Sequence, residues 1–336
     1  MTKPGARSED PRWEAHRVEL HGYCYRMLGS GFEAEDAVQE TLLRAWRHAD
    51  RFDETRASYR TWLFSIATNV CLDMLRSAQR RARATDLGPA SYAGAPLGAP
   101  LPDTAWVQPV PDGRVLPEHG DPAEVAERRE TVRLAFVAAL QHLAPRQRAV
   151  LILRDVLGWP AAEVARLLDT TVAAVNSALQ RARSVLSSRP LTPAEPYRPD
   201  DRAQRDLLDR YCDAFHRHDM ETLVGLLHED ATMTMPPFVW WLRGRGEIRK
   251  VLLAPEASCA GARLLPTVAN GSPAFAQYRP TGPDGAYEPF ALAVLEIADG
   301  SVIETTTYLG DRLFPLFGLP TEAADIAEAM GFLRER

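Results

Sequence analysis

The sequence predicts a multi-domain protein in which two all-helical domains precede an α+β domain. Two segments interrupt the 336-residue chain: residues 85–123 are rich in proline, glycine and alanine, and residues 190–200 contain four prolines. Such segments sustain neither helix nor sheet. Elsewhere, apolar residues first recur with helical spacing, and after residue 200 strand-like runs alternate with hairpin-type dipeptides. We therefore expect folded domains at 1–84, 124–189 and 201–318, and a tail or final helix at 319–336.

Composition excludes several classes of protein. The N-terminal residues lack the apolar stretch of a secretory signal, and no run of about 18 apolar residues is long enough to span a membrane. The cysteines form no CxxC pair and have no histidines at metal-ligand spacing; they are Cys24, Cys71, Cys212 and Cys259. We therefore expect a cytoplasmic protein with reduced cysteines, without a membrane partner, a metal or a cofactor.

Charge is distributed unevenly along the chain. The total is −6, but residues 124–189 carry ten basic and six acidic side chains, whereas residues 190–336 carry 14 basic and 22 acidic ones. A basic segment within an acidic protein is the balance that a phosphate-facing module requires. The charge pattern thus favours residues 124–189 as a nucleic-acid reader.

Two amphipathic helices are predicted in the first domain. Over residues 34–47, apolar residues follow the i, i+3, i+4 rule, and acidic residues stand at the start, where the helix dipole favours them. A second helix is predicted from Thr61 to about Arg81, with Leu63, Ile66 and Val70 on its buried side. No strand is predicted in this domain.

The second domain contains a helix-turn-helix pattern. Helices are predicted at 146–156 and 161–168, and a third begins at Thr170 or Thr171, with Val172, Val175, Leu179, Ala182 and Leu186 as its buried stripe. Its other face is small and polar and suits a major groove, where Asn and Gln pair with adenine and arginines hold phosphates. The candidate reading residues are Thr171, Ala173, Asn176, Ser177, Gln180, Arg181 and Arg183. The alternative is an ordinary amphipathic hairpin with a solvated polar face.

Hairpin signals characterise the third domain. Asn270-Gly271, Asp284-Gly285 and Asp299-Gly300 are flanked by strand-like runs such as FALAVLEI and SVIETTTYL. This pattern predicts an antiparallel meander of about four strands, preceded by helices near 201–216, 219–228 and 246–253.

Four segments of the two helical domains carry a family resemblance: YCYRMLGSGFEAEDAVQETLLRAW, RTWLFSIATNVCLDMLR, LAPRQRAVLILRDVLGW and AVNSALQRAR. They closely resemble the sigma-70 family of RNA polymerase initiation factors, in particular its extracytoplasmic-function group. The resemblance covers residues 13–83 and 124–187. It implies that core RNA polymerase and promoter DNA are the partners, that the first domain docks on polymerase and opens the -10 element, and that the second recognises the -35 element.

The resemblance also assigns surfaces. On the helix 34–47 it implies a polymerase-binding face at Asp36, Gln39, Glu40, Leu43, Arg44 and Arg47. On and around the helix from Thr61 it implies -10 contacts at Arg60, Trp62, Asn69, Asp73, Arg76, Arg80 and Arg81, with the preceding loop FDETRASYR capturing a flipped base. Without the resemblance, both would be read as solvated charged surfaces. Many members carry basic residues at Asn176 and Ala178, so weaker -35 binding is expected.

The third domain resembles the SnoaL-like branch of the nuclear-transport-factor-2 (NTF2-like) fold over about residues 200–318, a cone with a curved antiparallel sheet. This resemblance implies a candidate pocket for an unknown small ligand, lined by Asp230, Trp240, Trp241, Tyr278, Tyr308 and Asp311. The sequence holds no fixed acid–base pair, so we expect no enzyme but a regulatory domain that contacts the two sigma domains. The alternative is a SnoaL-like enzyme fused to a DNA-targeting module.

Overall fold

The computed structural model describes residues 11–76, 81–117, 127–188, 194–254, 259–282 and 286–334. The chain divides into two compact units, one formed by residues 1–81 with 107–191 and the other by 82–106 with 192–336. Among the described helices, none combines the length and the apolar character needed to cross a bilayer.

Three helices form the first helical domain. They are α1 (Pro11–Leu28), α2 (Gly31–Arg47) and α3 (Tyr59–Met74), with a 3₁₀ turn at Ala49–Arg51. Ser30 caps α2 and Ser58 caps α3, because each hydroxyl accepts a backbone N–H from the first turn. The helix predicted from Thr61 to about Arg81 ends earlier, at Met74. There the N–H of Arg76 turns back to the carbonyl of Asp73 at 3.2 Å.

The second helical domain contains the predicted helix-turn-helix. It consists of α6 (Leu134–Leu140), α7 (Pro145–Leu151), which continues as a π-helical turn over Ile152–Val156, α8 (Ala161–Leu167) and α9 (Val172–Ser187). Val175, Leu179 and Ala182 of α9 are buried as predicted, whereas Val172 is exposed and Leu186 only partly buried. Val172 differs because it lies at the edge of the apolar stripe, in the first turn of the helix.

The two helical domains share a buried polar network, which explains why they form one compact unit. Arg148 of α7 donates to the carbonyl of Met27 at the end of α1 and to Oε1 of Gln141 at 2.6 Å. Arg26 donates to the carbonyl and the hydroxyl of Thr131 at 3.0 and 2.7 Å. Both arginines are buried, so these bonds compensate the loss of hydration of two charges.

Helices and a six-stranded sheet build the second unit. The helices are α10 (Arg202–His216), α11 (Met220–Gly225), α12 (Arg245–Leu252) and α13 (Ala323–Arg334), with a 3₁₀ turn at Pro315–Phe317. The strands are β1 (Leu227–Thr234), β2 (Trp241–Arg243), β3 (Arg263–Ala269), β4 (Ser272–Pro280), β5 (Tyr287–Ala298) and β6 (Ser301–Leu309).

The sheet is mixed, which corrects the expectation of a purely antiparallel meander of about four strands. Its order is β2-β1-β6-β5-β4-β3, and β1 runs parallel to β6 while every other neighbouring pair is antiparallel. The four strands β3 to β6 form the predicted meander. The additional strand β1 arises because the segment expected as a helix to residue 228 leaves the helix after Gly225 and pairs with β6. The other additional strand, β2, pairs with β1.

Two of the three predicted hairpin turns are confirmed by their backbone angles. Asn270 and Gly271 have φ of 58° and 71°, and Asp299 and Gly300 have φ of 49° and 68°. Two successive positive φ values are the requirement of a type I′ turn, which Asn-Gly and Asp-Gly meet at low cost. Asp284-Gly285 lies outside the described residues.

Residues 82–106, here called the connector, belong to the second unit. This segment contains only short helical turns, α4 (Ala84–Leu87) and Asp103–Ala105, and the chain then enters α5 (Asp112–Val115) in the first unit. The N–H of Ala82 donates to the carbonyl of Ala105 at 2.8 Å, so the two ends of the connector lie side by side. The connector is thereby closed into a loop.

The C-terminal domain supplies the hydrogen bonds that the connector cannot make internally. The N–H of Ser91 donates to the carbonyl of Trp241 at 2.7 Å, and the N–H of Leu101 to the carbonyl of Pro237 at 2.8 Å. The indole N–H of Trp241 donates to the carbonyl of Gly88 at 3.0 Å. Proline and glycine prevent regular structure within the connector, but its buried backbone groups still require partners.

Side chains add to this attachment. Trp106 packs with Ala84 and Ala105 in an apolar cluster that also includes Val239 and Trp241. The guanidinium of Arg83 lies 3.7 Å from the carboxylate of Glu304 on β6, and Asp103 pairs with Arg312. The connector is thus part of the fold of the second unit.

Candidate promoter and polymerase interfaces

Helix α9 exposes every residue predicted for reading the -35 element. All seven predicted residues, Thr171, Ala173, Asn176, Ser177, Gln180, Arg181 and Arg183, are exposed. Thr171 is also the N-cap, since its hydroxyl accepts the N–H of Ala174 at 3.1 Å. Small side chains on this face allow the helix to approach base edges closely, and the exposed amides of Asn176 and Gln180 are suited to adenine.

Arg183 differs from the other α9 residues because it is paired within the domain. Its guanidinium donates twice to the carboxylate of Asp155, at 2.9 and 2.7 Å. The hydrogen bonds and the negative charge of Asp155 raise the pKa of Arg183. This pairing fixes the guanidinium at the edge of α9, beside the π-helical turn.

Three of the residues predicted for the -10 element lie on the exposed side of α3 and of the turn that follows it. They are Asn69, Asp73 and Arg76, and the carboxylate of Asp73 lies 3.5 Å from Arg76 and 3.7 Å from Arg44 of α2. These helical positions share one side because they are separated by four and three residues.

Two further predicted -10 residues, Arg60 and Trp62, stand at the start of α3. Arg60 is half-buried and donates to Glu19 at 2.9 Å. Trp62 is partly buried in an aromatic cluster, with ring centroids 5.2 Å from Phe52 and 5.6 Å from Tyr59. The cluster fixes the indole at the base of the loop that leads into α3.

Arg81 does not lie on this surface. Only 5% of the residue is exposed, and its guanidinium donates to the carboxylate of Glu33 on α2. The sequence prediction extended α3 by two turns too many, and Arg81 therefore reaches the protein interior instead of DNA. Arg80 lies outside the described residues.

A groove of about 800 Å³ runs beside the loop FDETRASYR. The loop, α3 and the helix-turn-helix helix α8 line it, with Trp62 and Asn69 from α3 and Glu163 from α8 among its residues. Within the loop, Asp53 accepts the backbone N–H and the hydroxyl of Thr55 at 2.9 and 2.6 Å, and these two hydrogen bonds lower the pKa of Asp53. The loop has a defined shape and an open cavity beside it.

The residues predicted for polymerase binding lie on the outer side of α2. Asp36, Gln39, Leu43 and Arg47 are exposed, while Glu40 and Arg44 are half-buried and joined by a hydrogen bond of 2.6 Å. Leu43 is 38% exposed, and Trp46, which the sequence reasoning missed, is 51% exposed. Their separation of three residues places two large apolar side chains on one surface, a signal that was available from spacing alone. Exposed apolar side chains of this size are typical of protein interfaces.

The six residues predicted for a ligand pocket occupy different environments. Trp240 belongs to the core of the C-terminal domain, and Tyr308 is buried. Tyr278 packs edge-on against Phe314 and donates to the carbonyl of Pro320 at 3.1 Å; burial raises its pKa. The indole N–H of Trp241 donates to the carbonyl of Gly88 in the connector, while Asp230 and Asp311 are exposed. The structure therefore distributes these side chains among core, connector and surface.

In the described ranges, no group of three or more histidine, cysteine or acidic side chains is arranged to hold a metal ion. The four cysteines are free thiols. Burial raises the pKa of Cys212 to about 12. A thiol with such a pKa is a poor nucleophile at neutral pH.

Three family models match the chain in order. Sigma-70 region 2 matches residues 13–81, Sigma-70 region 4 matches residues 133–186, and a SnoaL-like domain matches residues 208–305. The matched segments coincide with the two helical domains and with α10 to β6. The order of domains inferred from the residues is thus confirmed.

Similar proteins occur in Mycobacterium tuberculosis (strain ATCC 25618 / H37Rv). The chain is 45% identical to ECF RNA polymerase sigma factor SigG over 310 residues, which cover 91% of this chain and 82% of SigG. It is 32% identical to SigJ over 253 residues, 73% of this chain and 72% of SigJ. The crystal structure of Mycobacterium tuberculosis SigJ shares the fold, with a TM-score of 0.60, 24% identity and coverage of 94% of this chain and all of SigJ. This chain therefore belongs to the ECF family of RNA polymerase sigma factors.

Proposed function

We propose that this protein binds core RNA polymerase and directs transcription initiation at promoters whose -35 element is read by α9. The observation that carries the proposal is the exposed face of α9, where two amides stand among small residues in a domain with a net basic charge. A bidentate amide–adenine pair contributes about 1–3 kcal/mol of base discrimination. Arg181, at the flank of this face, would contact phosphate, and Arg183 would do so after leaving Asp155.

Polymerase binding is assigned to the exposed side of α2. Leu43 and Trp46 provide an apolar centre, and the charged residues Asp36 and Arg47 flank it on the same helix. An apolar centre with a polar rim is the usual composition of an interface. Asn69, Asp73 and Arg76 of α3 would then face the -10 element.

A run-off transcription assay with purified core polymerase and a pool of genomic promoters tests the proposal. The parent chain should select a defined set of start sites. The Asn176→Ala/Gln180→Ala variant should bind them about 10- to 1,000-fold more weakly, from the loss of one or two amide–base pairs. Ser187→Ala, at the exposed C-terminal end of α9, is the matched control and should behave as the parent. Failure of the parent chain to associate with core polymerase would exclude this function.

We further propose that the C-terminal domain modulates the sigma domains. The support is the connector, because the segment that joins the two helical domains in sequence is held by β2, β6 and the loop before β2. A tethered domain acts at high effective concentration, and residues 190–336 carry a net charge of −8. Chains ending near Pro190 and near Gly318 should differ from the full chain in transcription from a cognate promoter; equal output from all three would contradict modulation.

Polar groups of the C-terminal domain are engaged in packing, which favours regulation over turnover. The Nε2 atom of His216 accepts the backbone N–H of Leu264 at 2.9 Å, and burial is the main cause that lowers the pKa of this histidine. Glu304 lies beside Arg83 and accepts the hydroxyl of Thr306 at 3.3 Å. An acid–base catalyst needs a group that is available to a substrate, and these groups already have internal partners.

A further inference from the structure

We propose that the first unit contains a binding site for a small organic anion, at a place that neither the promoter surfaces nor the polymerase surface uses. The site is a cavity of about 330 Å³ beside the end of α3, lined by residues of both helical domains. It is here called the anion cavity, and the residues that carry the argument are Glu33, Leu75, Arg81, Gln141 and Arg148. The proposed function makes no use of these side chains, so this inference goes beyond it.

Charge in the anion cavity is unbalanced. Arg81 and Arg148 are 5% and 4% exposed, whereas the side chain of Glu33 keeps 28% exposure. Apart from the titratable His142, these two arginines and one glutamate are the charged residues that line the cavity in the described part of the chain. Buried cations attract an anion more strongly than exposed ones do, because less water screens the interaction. The cavity therefore favours a ligand that brings a negative charge.

Both guanidinium groups are held in place before a ligand arrives. Arg148 donates to uncharged oxygens, among them Oε1 of Gln141 at 2.6 Å and the backbone carbonyl of the same residue at 3.2 Å. These hydrogen bonds orient the guanidinium without cancelling its charge. Arg81 donates to Glu33, and its stem packs on Gly29, where a β-carbon would come within 3.3 Å of Cδ of Arg81. Binding thus requires little ordering of side chains, which favours affinity.

The wall of the anion cavity also has an apolar part, which indicates the rest of the ligand. Leu28, Leu75, Leu143 and Pro145 line it. Guanidinium groups pair with carboxylate or phosphate oxygens, while apolar side chains favour a small hydrocarbon group. The volume lies at the lower end of the range for small-molecule sites. We therefore assign the site to a small organic phosphate or carboxylate, which enters past the partly exposed Leu75 and the exposed Ala144.

A ligand in this cavity contacts both helical domains. Leu75 and Arg81 belong to the end of the first domain, and Gln141 and Arg148 to the second. A ligand that binds the folded chain and not the unfolded one stabilises the folded chain by mass action. The free energy of unfolding of the helical unit thus depends on the concentration of an anionic metabolite, a form of control that does not involve the C-terminal domain.

Titration of the full chain, followed by the NMR signals of its backbone amides, tests the site. The probes are phenyl phosphate and benzoate, with benzyl alcohol as the uncharged analogue and inorganic phosphate as the ion without an apolar group. At least one of the two organic anions should give saturable shifts at Glu33, Arg81 and 141–148, with a Kd of about 1 mM or tighter. The tighter of the two identifies the anionic group. Benzyl alcohol should give no saturable shift, and inorganic phosphate should bind at least about tenfold more weakly.

One variant that fills the cavity and one that changes its charge make the test specific. Leu75→Trp should occupy the cavity and weaken binding of the organic anion at least about tenfold. Leu253→Trp, at an exposed apolar residue of the second unit, is the matched control and should bind as the parent does. Glu33→Gln removes the carboxylate but keeps an acceptor for Arg81, and should tighten binding about tenfold. The amide spectrum of each variant shows whether it is folded.

Any of four results would overturn the proposal. The parent chain could show no saturable shift at these amides, or the folded Leu75→Trp variant could bind the organic anion as the parent does. The affinity for inorganic phosphate could equal that for the organic anion, which would indicate an adventitious ion only. Finally, Glu33→Gln could leave the affinity unchanged, as expected if the arginines serve the structure alone.

Discussion

Replacement of Arg81 by methionine separates a structural role from a role in DNA binding. Arg81 is 5% exposed and is paired with Glu33, whose side chain retains 28% exposure. Breaking a fully buried ion pair costs about 3–5 kcal/mol, because one charge is left buried without a partner. Since Glu33 keeps some hydration, we expect the Arg81→Met variant to lose about 2–3 kcal/mol in the free energy of unfolding of the helical unit.

The matched control is Arg76→Met on the exposed side of α3. The side chain of Arg76 is 81% exposed, so its loss should leave stability unchanged. If Arg76 contacts a phosphate, the slope of log affinity for promoter DNA against log salt concentration should fall by about one, whereas Arg81→Met should leave the slope unchanged. Urea unfolding measures the free energy of unfolding, and hydrogen exchange of α1 to α3 assigns it to the helical unit. DNA binding by the holoenzyme at several salt concentrations measures the salt slope.

A reversed pattern would refute the reasoning. If Arg81→Met changed the free energy of unfolding by less than about 0.5 kcal/mol and lowered the salt slope by about one, Arg81 would be an exposed side chain that contacts a DNA phosphate. In that case the guanidinium of Arg81 would not be buried against α2 when the protein binds DNA.

Three more predictions concern other parts of the chain. Glu304→Gln removes the charge beside Arg83, which should cost about 1 kcal/mol and increase limited proteolysis within the connector about fivefold relative to the parent. Burial raises the pKa of Glu35, but hydrogen bonds from α1 and α2 and a nearby arginine together lower this pKa below its usual value. The ionised carboxylate therefore stabilises the helical unit above about pH 4.5, and this stabilisation is lost as the pH falls through the lowered pKa. The Glu35→Gln variant should consequently show a flatter pH dependence of the free energy of unfolding in this range. Trp46→Ala should weaken binding to core polymerase by about 2 kcal/mol, or about thirtyfold, without loss of stability, whereas Leu253→Ala, a change at an exposed apolar residue of the second unit, should leave binding unchanged.

Features set by local sequence could be predicted. Helix α2 follows from apolar spacing and an acidic first turn, and these signals lie within the 17 residues of the helix. The hairpins at Asn270-Gly271 and Asp299-Gly300 follow from residues that tolerate positive φ. The exposed face of α9 follows likewise, because burial of one helical stripe determines which residues remain outside.

Features that depend on distant partners could not be predicted. The burial of Arg81 depends on Glu33, 48 residues earlier, and the parallel pairing of β1 with β6 joins strands about 70 residues apart. The connector has the composition of a flexible linker, and its fixed path comes from partners in the C-terminal domain, among them the backbone acceptors at Pro237 and Trp241. The composition of a segment indicates its local conformational preference, whereas these contacts depend on residues that are distant in the sequence.

The discontinuous second unit has a consequence for synthesis on the ribosome. The connector is translated before the second helical domain, but its partner β6 ends at Leu309, about 200 residues after the connector. At about 5–20 residues per second, the nascent chain waits about 10–40 s with the connector unpaired. Until Val239 and Trp241 have been synthesised, the apolar side chain of Trp106 lacks two neighbours that it has in the finished fold, and the nascent chain exposes it to solvent.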